Sequence, residues 1–159
     1  MNIRKARLNE AEEVLNIYKS LIGYEGCLWD EYYPSLNVVK NDISEDSLYV
    51  VTDNNLIIAV AHAGKDNELF KMECYKNKMN NPRDIARVAV KIEYQKQGIA
   101  KMLIKYIEED FRKQGVDYIV LTAGKTNTKA LKLYETLGYT ICGEKEEFDI
   151  LFYCHEKKL

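Results

Sequence analysis

The chain has 159 residues, 47% of them hydrophobic and 30% charged, and a net charge of −2. That length and balance describe one soluble globular domain over residues 1–159, able to bury roughly 68–70% of its unfolded surface, and exclude a disordered or collagen-like chain. The near-neutral charge argues against a nucleic-acid partner, and no apolar run approaches the roughly 18 residues of a membrane span. Met1 to Arg7 is basic with no apolar stretch behind it, so a cytoplasmic protein is expected.

Asn9 with Glu12 reads as a capping box opening a helix whose apolar face is Val14, Ile17 or Tyr18, and Leu21. Pro34-Ser35 opens a second helix with Leu36, Val39 and Ile43 inward. Leu48–Thr52 and Leu56–Ala63 are strand-like, joined by the turn Asp53-Asn54-Asn55. Residues 64–82 are polar and irregular. Ile85–Val90 is the next strand, and Gly98–Gln114 the strongest helix, with Ile99, Leu103, Tyr106, Ile107 and Phe111 on one face and Gly115 as its stop. A strand over Tyr118–Thr122, a helix over Thr128–Leu137, and strands over Tyr139–Gly143 and Phe148–His155 complete the chain. The alternation predicts an α/β fold: a sheet of mixed direction with helices on both faces. Phe148–His155, as a terminal strand, offers an edge for pairing across a homodimer.

Cys27, Cys74, Cys142 and Cys154 show no metal-knuckle or redox spacing, and His62 and His155 add no ligand pattern. Reduced, mostly buried thiols and no metal are expected.

The informative segment runs from Arg87 to Lys101. A strand ends near Val90, a polar loop follows, and a helix begins at the small residues Gly98 and Ala100, flanked by Lys96 and Lys101. A helix N-terminus offers free amides and about half a positive charge, so this entry suits a phosphate, although an ordinary helix start reads the same way. Gly124-Lys125-Thr126 is a rival, because it resembles the tail of a nucleotide-binding P-loop. The small residue needed five positions before Gly124 is replaced by Ile119.

Gln95-Lys96-Gln97-Gly98-Ile99-Ala100, with the strand Val88-Ala89-Val90 before it, resembles the pyrophosphate signature of the GNAT superfamily of acyl-CoA-dependent N-acyltransferases. Asn127-Thr128-Lys129-Ala130, continuing through Tyr134 to Gly138-Tyr139, is similar to that family's second motif, and Trp29 to Pro34 resembles a stretch before its second helix. The proline many members carry after the cofactor strand is Ile92 or Glu93 here. The resemblance implies a mostly antiparallel sheet with a central splayed parallel strand pair, and acetyl-CoA as co-substrate. It implies that the backbone of Val88, Ala89 and Val90 runs beside the pantetheine arm. The amides of Gln95, Lys96, Gln97, Gly98, Ile99, Ala100 and Lys101 would then hold the pyrophosphate, and Asn127 would bond the arm.

The same resemblance makes Tyr134 the general acid for the departing thiolate; packing of a helix face is the alternative. Asp84, four residues before Val88, is where some relatives keep an acidic base. Glu73 and Glu25 are other acids bordering the expected substrate region, and each of the three reads first as a solvated surface charge, the default state of such residues. Tyr24, Glu25, Trp29 and Tyr33 either line a pocket for a cationic amine or pack a helix–loop edge. The expected activity is acetyl transfer from acetyl-CoA to a primary amine, on a small molecule or a peptide, by direct attack in a ternary complex. A non-catalytic acyl-CoA-binding module on the same fold and a P-loop-like nucleotide enzyme are the alternatives.

Overall fold

The computed structural model describes residues 1–159. Strand β1 (Asn2–Lys5) precedes helices α1 (Ala11–Ser20) and α2 (Leu36–Ser44). The hairpin β2 (Leu48–Asp53) and β3 (Leu56–Gly64) follows, then β4 (Arg83–Val90), α3 (Ile99–Lys113), β5 (Tyr118–Gly124), α4 (Thr128–Thr136), β6 (Thr140–Glu147) and β7 (Ile150–Lys158). The seven strands form one sheet in the order β1-β2-β3-β4-β5-β7-β6. All neighbours are antiparallel except β4 and β5.

Alternation along each strand sends one set of side chains to each face. Ile58, Ile85, Ile119 and Leu121 pack under α3 and α4, against Ile99, Leu103, Ile107, Phe111 and Tyr134. Leu48, Val50, Val60 and Ala89 pack on the other face, against Val14, Ile17 and Tyr18 of α1 and Val39 of α2.

Several expectations shift. β1 is an added edge strand; only Ile3 of its four residues is apolar, so its pairing with Val51 leaves no period to read. The box of Asn9 and Glu12 does not form, because a short 3-10 turn over Leu8–Glu10 precedes the helix; instead Glu10 Oε2 accepts from the Arg7 amide at 2.8 Å. Ser35 caps α2 as expected, its Oγ accepting from the Val38 amide at 3.3 Å. Tyr106 is 45% exposed, and Ile104 takes the core place on α3. Phe148 belongs to a turn with Asp149, both at positive φ, rather than to a strand. The last strand is not an edge: β7 lies between β5 and β6, and β6 is the edge on that side of the sheet, opposite β1.

Candidate active site

β4 and β5 pair only at their first residues, Arg83 with Ile119 and Asp84 with Val120. Beyond Asp84 the two strands part, and each is held by its outer neighbour instead. The Lys91 amide bonds Ile58 on β3 at 2.9 Å. Strand alternation therefore turns the polar backbone of Ala89 toward β3 and that of Val88 and Val90 into the gap. The Val90 carbonyl is partly used, since Gln95 Nε2 donates to it at 3.1 Å.

At the mouth of the gap, α3 starts without a side-chain cap and with no acid in its first turn. Gly98 sits at φ 79, in the left-handed region that favours glycine. A Cβ there would meet nothing within 4 Å, so the approach to the free amides is open. Gln97 folds its side-chain amide back onto the Glu93 carbonyl at 3.2 Å, and Lys96 is exposed beside it. Uncapped amides, the helix dipole and nearby lysines, with no opposing acid, fit a pyrophosphate. A surface hollow lined by Lys5, Asp46, Lys65 and Arg83 lies at the other end of the sheet, away from this helix start.

The second helix start, at α4, opens at the same end of the sheet. Asn127 caps it, its Oδ1 accepting from the Ala130 amide at 3.2 Å, which leaves its side-chain amide to donate elsewhere. Tyr134 is 7% exposed and packs edge-to-face on Tyr139, with ring centroids 5.8 Å apart. Burial alone pushes its hydroxyl up to about 12, so it is a neutral donor throughout the physiological range. The P-loop rival loses its lysine: Lys125 Nζ pairs with Glu144 on β6 at 2.7 Å.

Asp84, the last residue of β4 paired with β5, is 3% exposed, which overturns its reading as a solvated charge. Its neighbour Ile85 packs under α3, so Asp84 faces the α1–α2 side. There Asp84 Oδ2 lies 3.3 Å from His62 Nε2, and Asp84 Oδ1 is buried without a partner. His62 Nδ1 lies 3.1 Å from Asp42 Oδ1, and Arg87 reaches Asp42 Oδ2 at 2.7 Å. Arg87 occupies a β-bulge: His62 pairs with Ala86 but Val60 with Ala89, and Arg87 takes φ 49. The bulge aims the guanidinium at α2, as bulges commonly redirect a side chain. Burial works against charge on His62, but its hydrogen bonds to Asp42 and Asp84 outweigh it and push the imidazole up to about 9. Burial likewise opposes ionisation of Asp42, yet the bonds from His62 and Arg87 hold its carboxyl below the usual range. Two carboxylates thus face two cations, the arrangement a buried charge needs.

The loop between α1 and α2 lies over the gap. A Cβ on Gly124 would stand 2.5 Å from Leu28 Cδ1, and one on Gly26 2.7 Å from Asn127 Oδ1. Of the four residues expected to line an amine pocket, Tyr33 accepts from Arg87 at 2.9 Å, while Tyr24 and Glu25 are exposed. Trp29 is a packing residue, its ring 5.0 Å from Tyr18 in the α1–α2 core. Glu73 is an exposed partner of Lys76 and stands apart from the network. Sequence reasoning missed His62, Asp42 and Arg87. Only Asp42 left a signal, as an acid on the inward face of α2 next to Val39 and Ile43.

A sheet whose parallel pair parts after two residues, with an uncapped helix start beyond one parted strand and an asparagine-capped one beyond the other, is the architecture of an acyl-CoA-dependent acyltransferase. The chain belongs to the Acetyltransferase (GNAT) family, whose description matches residues 13–139. Among curated proteins it is similar to the [ribosomal protein bS18]-alanine N-acetyltransferase of Escherichia coli, 35% identical over 52 residues, which are 33% of this chain and 35% of that one. The match therefore spans about a third of that relative's length. Among solved structures it resembles a ribosomal-protein-alanine N-acetyltransferase of Brucella melitensis (TM-score 0.79, 17% identity, all of both chains). It also resembles the PaiA N-acetyltransferase of Thermoplasma acidophilum, solved with coenzyme A (TM-score 0.78, 17% identity, 99% of this chain and 98% of that one).

Proposed function

We propose that the protein transfers an acetyl group from acetyl-CoA to a primary amine by direct attack in a ternary complex. The single observation that carries this reading is the gap between β4 and β5, with the backbone of Val88 and Val90 turned into it and ending on the open, uncapped start of α3. The amides from Gln95 to Lys101 hold the pyrophosphate, with Lys96 and Lys101 adding charge. The Val88–Val90 backbone and the Asn127 side-chain amide hold the pantetheine arm. The bound thioester supplies the acyl group. Asp84 takes a proton from the acceptor ammonium, because a protonated amine has no lone pair to attack with. Tyr134, neutral and on the α3–α4 face, donates toward the sulfur that leaves. The exposed residues Tyr24, Glu25 and Tyr33 border the entry for the amine.

A Tyr134 held neutral by burial and a carboxylate oxygen without a partner favour a catalyst over a module that only binds acyl-CoA. Thiol release from acetyl-CoA across a panel of polyamines, amino acids, aminoglycosides and N-terminal peptides tests this. At least one amine should accelerate release well above the amine-free rate. Tight acetyl-CoA binding with no acceleration by any amine would favour the binding module.

A further inference from the structure

His62 is 8% exposed and stands between residues of three elements. Nδ1 faces Asp42 Oδ1 of α2 at 3.1 Å and Ser47 Oγ, before β2, at 3.3 Å; Nε2 faces Asp84 Oδ2 of β4 at 3.3 Å. Asp42 spends its second oxygen on Arg87, and Arg87 holds Tyr33 of the covering loop. Asp84 has no such second contact: its Oδ1 is buried and unpartnered, at the residue where β4 leaves β5. A carboxylate fixed through one oxygen and free at the other is oriented to accept one proton on a defined side. His62 itself is no base here, because both its nitrogens are engaged.

We propose that His62, braced by Asp42, is a positioning residue that holds Asp84 with Oδ1 turned to take the proton of the acceptor ammonium. The inference rests on the reading of Asp84 as the base. In the step, R–NH3+ gives one proton to Asp84 Oδ1, and the freed nitrogen pair bonds the acetyl carbonyl carbon. The carbon–sulfur bond breaks with its pair on sulfur, which ends protonated. Overall, R–NH3+ and acetyl-CoA give the acetamide, the CoA thiol and one proton to solvent. His62 faces the charges of Asp42, Asp84 and Arg87, and their balance keeps the imidazole protonated through neutral pH.

The test uses the full chain with two nucleophiles: the fastest primary alkylamine from the panel, and hydroxylamine, which is unprotonated at neutral pH and needs no base. His62→Ala should lower kcat for the alkylamine at pH 7 by roughly 10²-fold, the lower end for acid–base catalysis, and leave hydroxylamine turnover and the KM for acetyl-CoA within about threefold. The deficit should shrink about tenfold per pH unit as solution ionisation of the amine replaces the base. His62→Gln, whose amide reaches toward the Nε2 position, should recover more activity than His62→Asn. Asp42→Asn, which lightens the buried charge, should show the same pattern more weakly and serves if His62→Ala does not fold. Equal losses with both nucleophiles, or a deficit unchanged with pH, would overturn the positioning role. A wild-type protein that acetylates neither nucleophile would instead overturn the acetyltransferase reading itself.

Discussion

Raising the pH should weaken the fold through His62. Its imidazole is held at about 9 in the folded state against 6.5 for the free side chain. A folded value above the unfolded one gives stability that is whole below pH 6.5 and fades as pH rises toward 9. With 1.36 kcal/mol per unit, the loss between pH 6 and pH 8.5 comes to about 2.5 kcal/mol. Asp42 is held low and remains ionised throughout this window. Burial lowers His155, so its contribution runs the other way: it destabilises below pH 6.5 and is relieved as pH rises through that value, returning less than about 1 kcal/mol and leaving a net fall. Burial raises Cys142 and Cys154 to about 12 and about 11, so their contribution begins only near their ordinary value of 9. Urea unfolding at half-unit steps from pH 6 to 8.5 reads the slope directly. Asp42→Asn should flatten it by removing one of the two carboxylates that keep His62 charged. A wild-type stability flat across that window, or a slope unchanged in Asp42→Asn, would refute the charged-histidine network.

Tyr134→Phe keeps the ring on Tyr139 and removes the donor; kcat should fall roughly 10²–10⁴-fold with acetyl-CoA affinity intact, and wild-type turnover would leave the tyrosine a packing role. Lys101→Ala should cost about 1–2 kcal/mol of acetyl-CoA affinity, the range of one charged hydrogen bond, as read by calorimetry. Lys125→Ala should leave acetyl-CoA binding unchanged, because that lysine is engaged by Glu144; a large loss would revive the P-loop reading. Gly124→Val should displace Leu28 and the loop over the gap, raising the KM of the amine more than that of acetyl-CoA in steady-state assays.

The parts of this fold written in local pattern were legible. The α3 stripe of Ile99, Leu103, Ile107 and Phe111 and the Asn54-Asn55 turn depend on neighbours in sequence, and both stand as expected. So does the bare glycine at the start of α3, because an uncapped helix entry is a property of a few consecutive residues. The proton-handling side was not legible. Asp42, His62, Asp84 and Arg87 come from α2, β3 and β4, and only the sheet order brings them together. Arg87 would face away from Asp42 on a regular strand; the bulge that turns it leaves no mark in composition. The place of β7 inside the sheet likewise follows from a crossover, since the final hairpin enters with its second strand against β5. Trp29 could equally have lined a pocket or filled a core, and the position of Tyr18 decides it.

If the start of α3 holds the pyrophosphate of acetyl-CoA, bulk placed over its amides must abolish binding. Calorimetric titration of acetyl-CoA into wild type, Gly98→Ala and Gly98→Trp, with thermal melts to show that each is folded, measures this. A Cβ at Gly98 meets open space but strains a backbone at φ 79. Alanine therefore isolates the strain, on the order of 1–2 kcal/mol, and tryptophan adds bulk over the amides. Acetyl-CoA should bind the wild type, bind Gly98→Ala with modest loss, and fail to bind folded Gly98→Trp. Undiminished binding to folded Gly98→Trp would contradict that placement of the pyrophosphate.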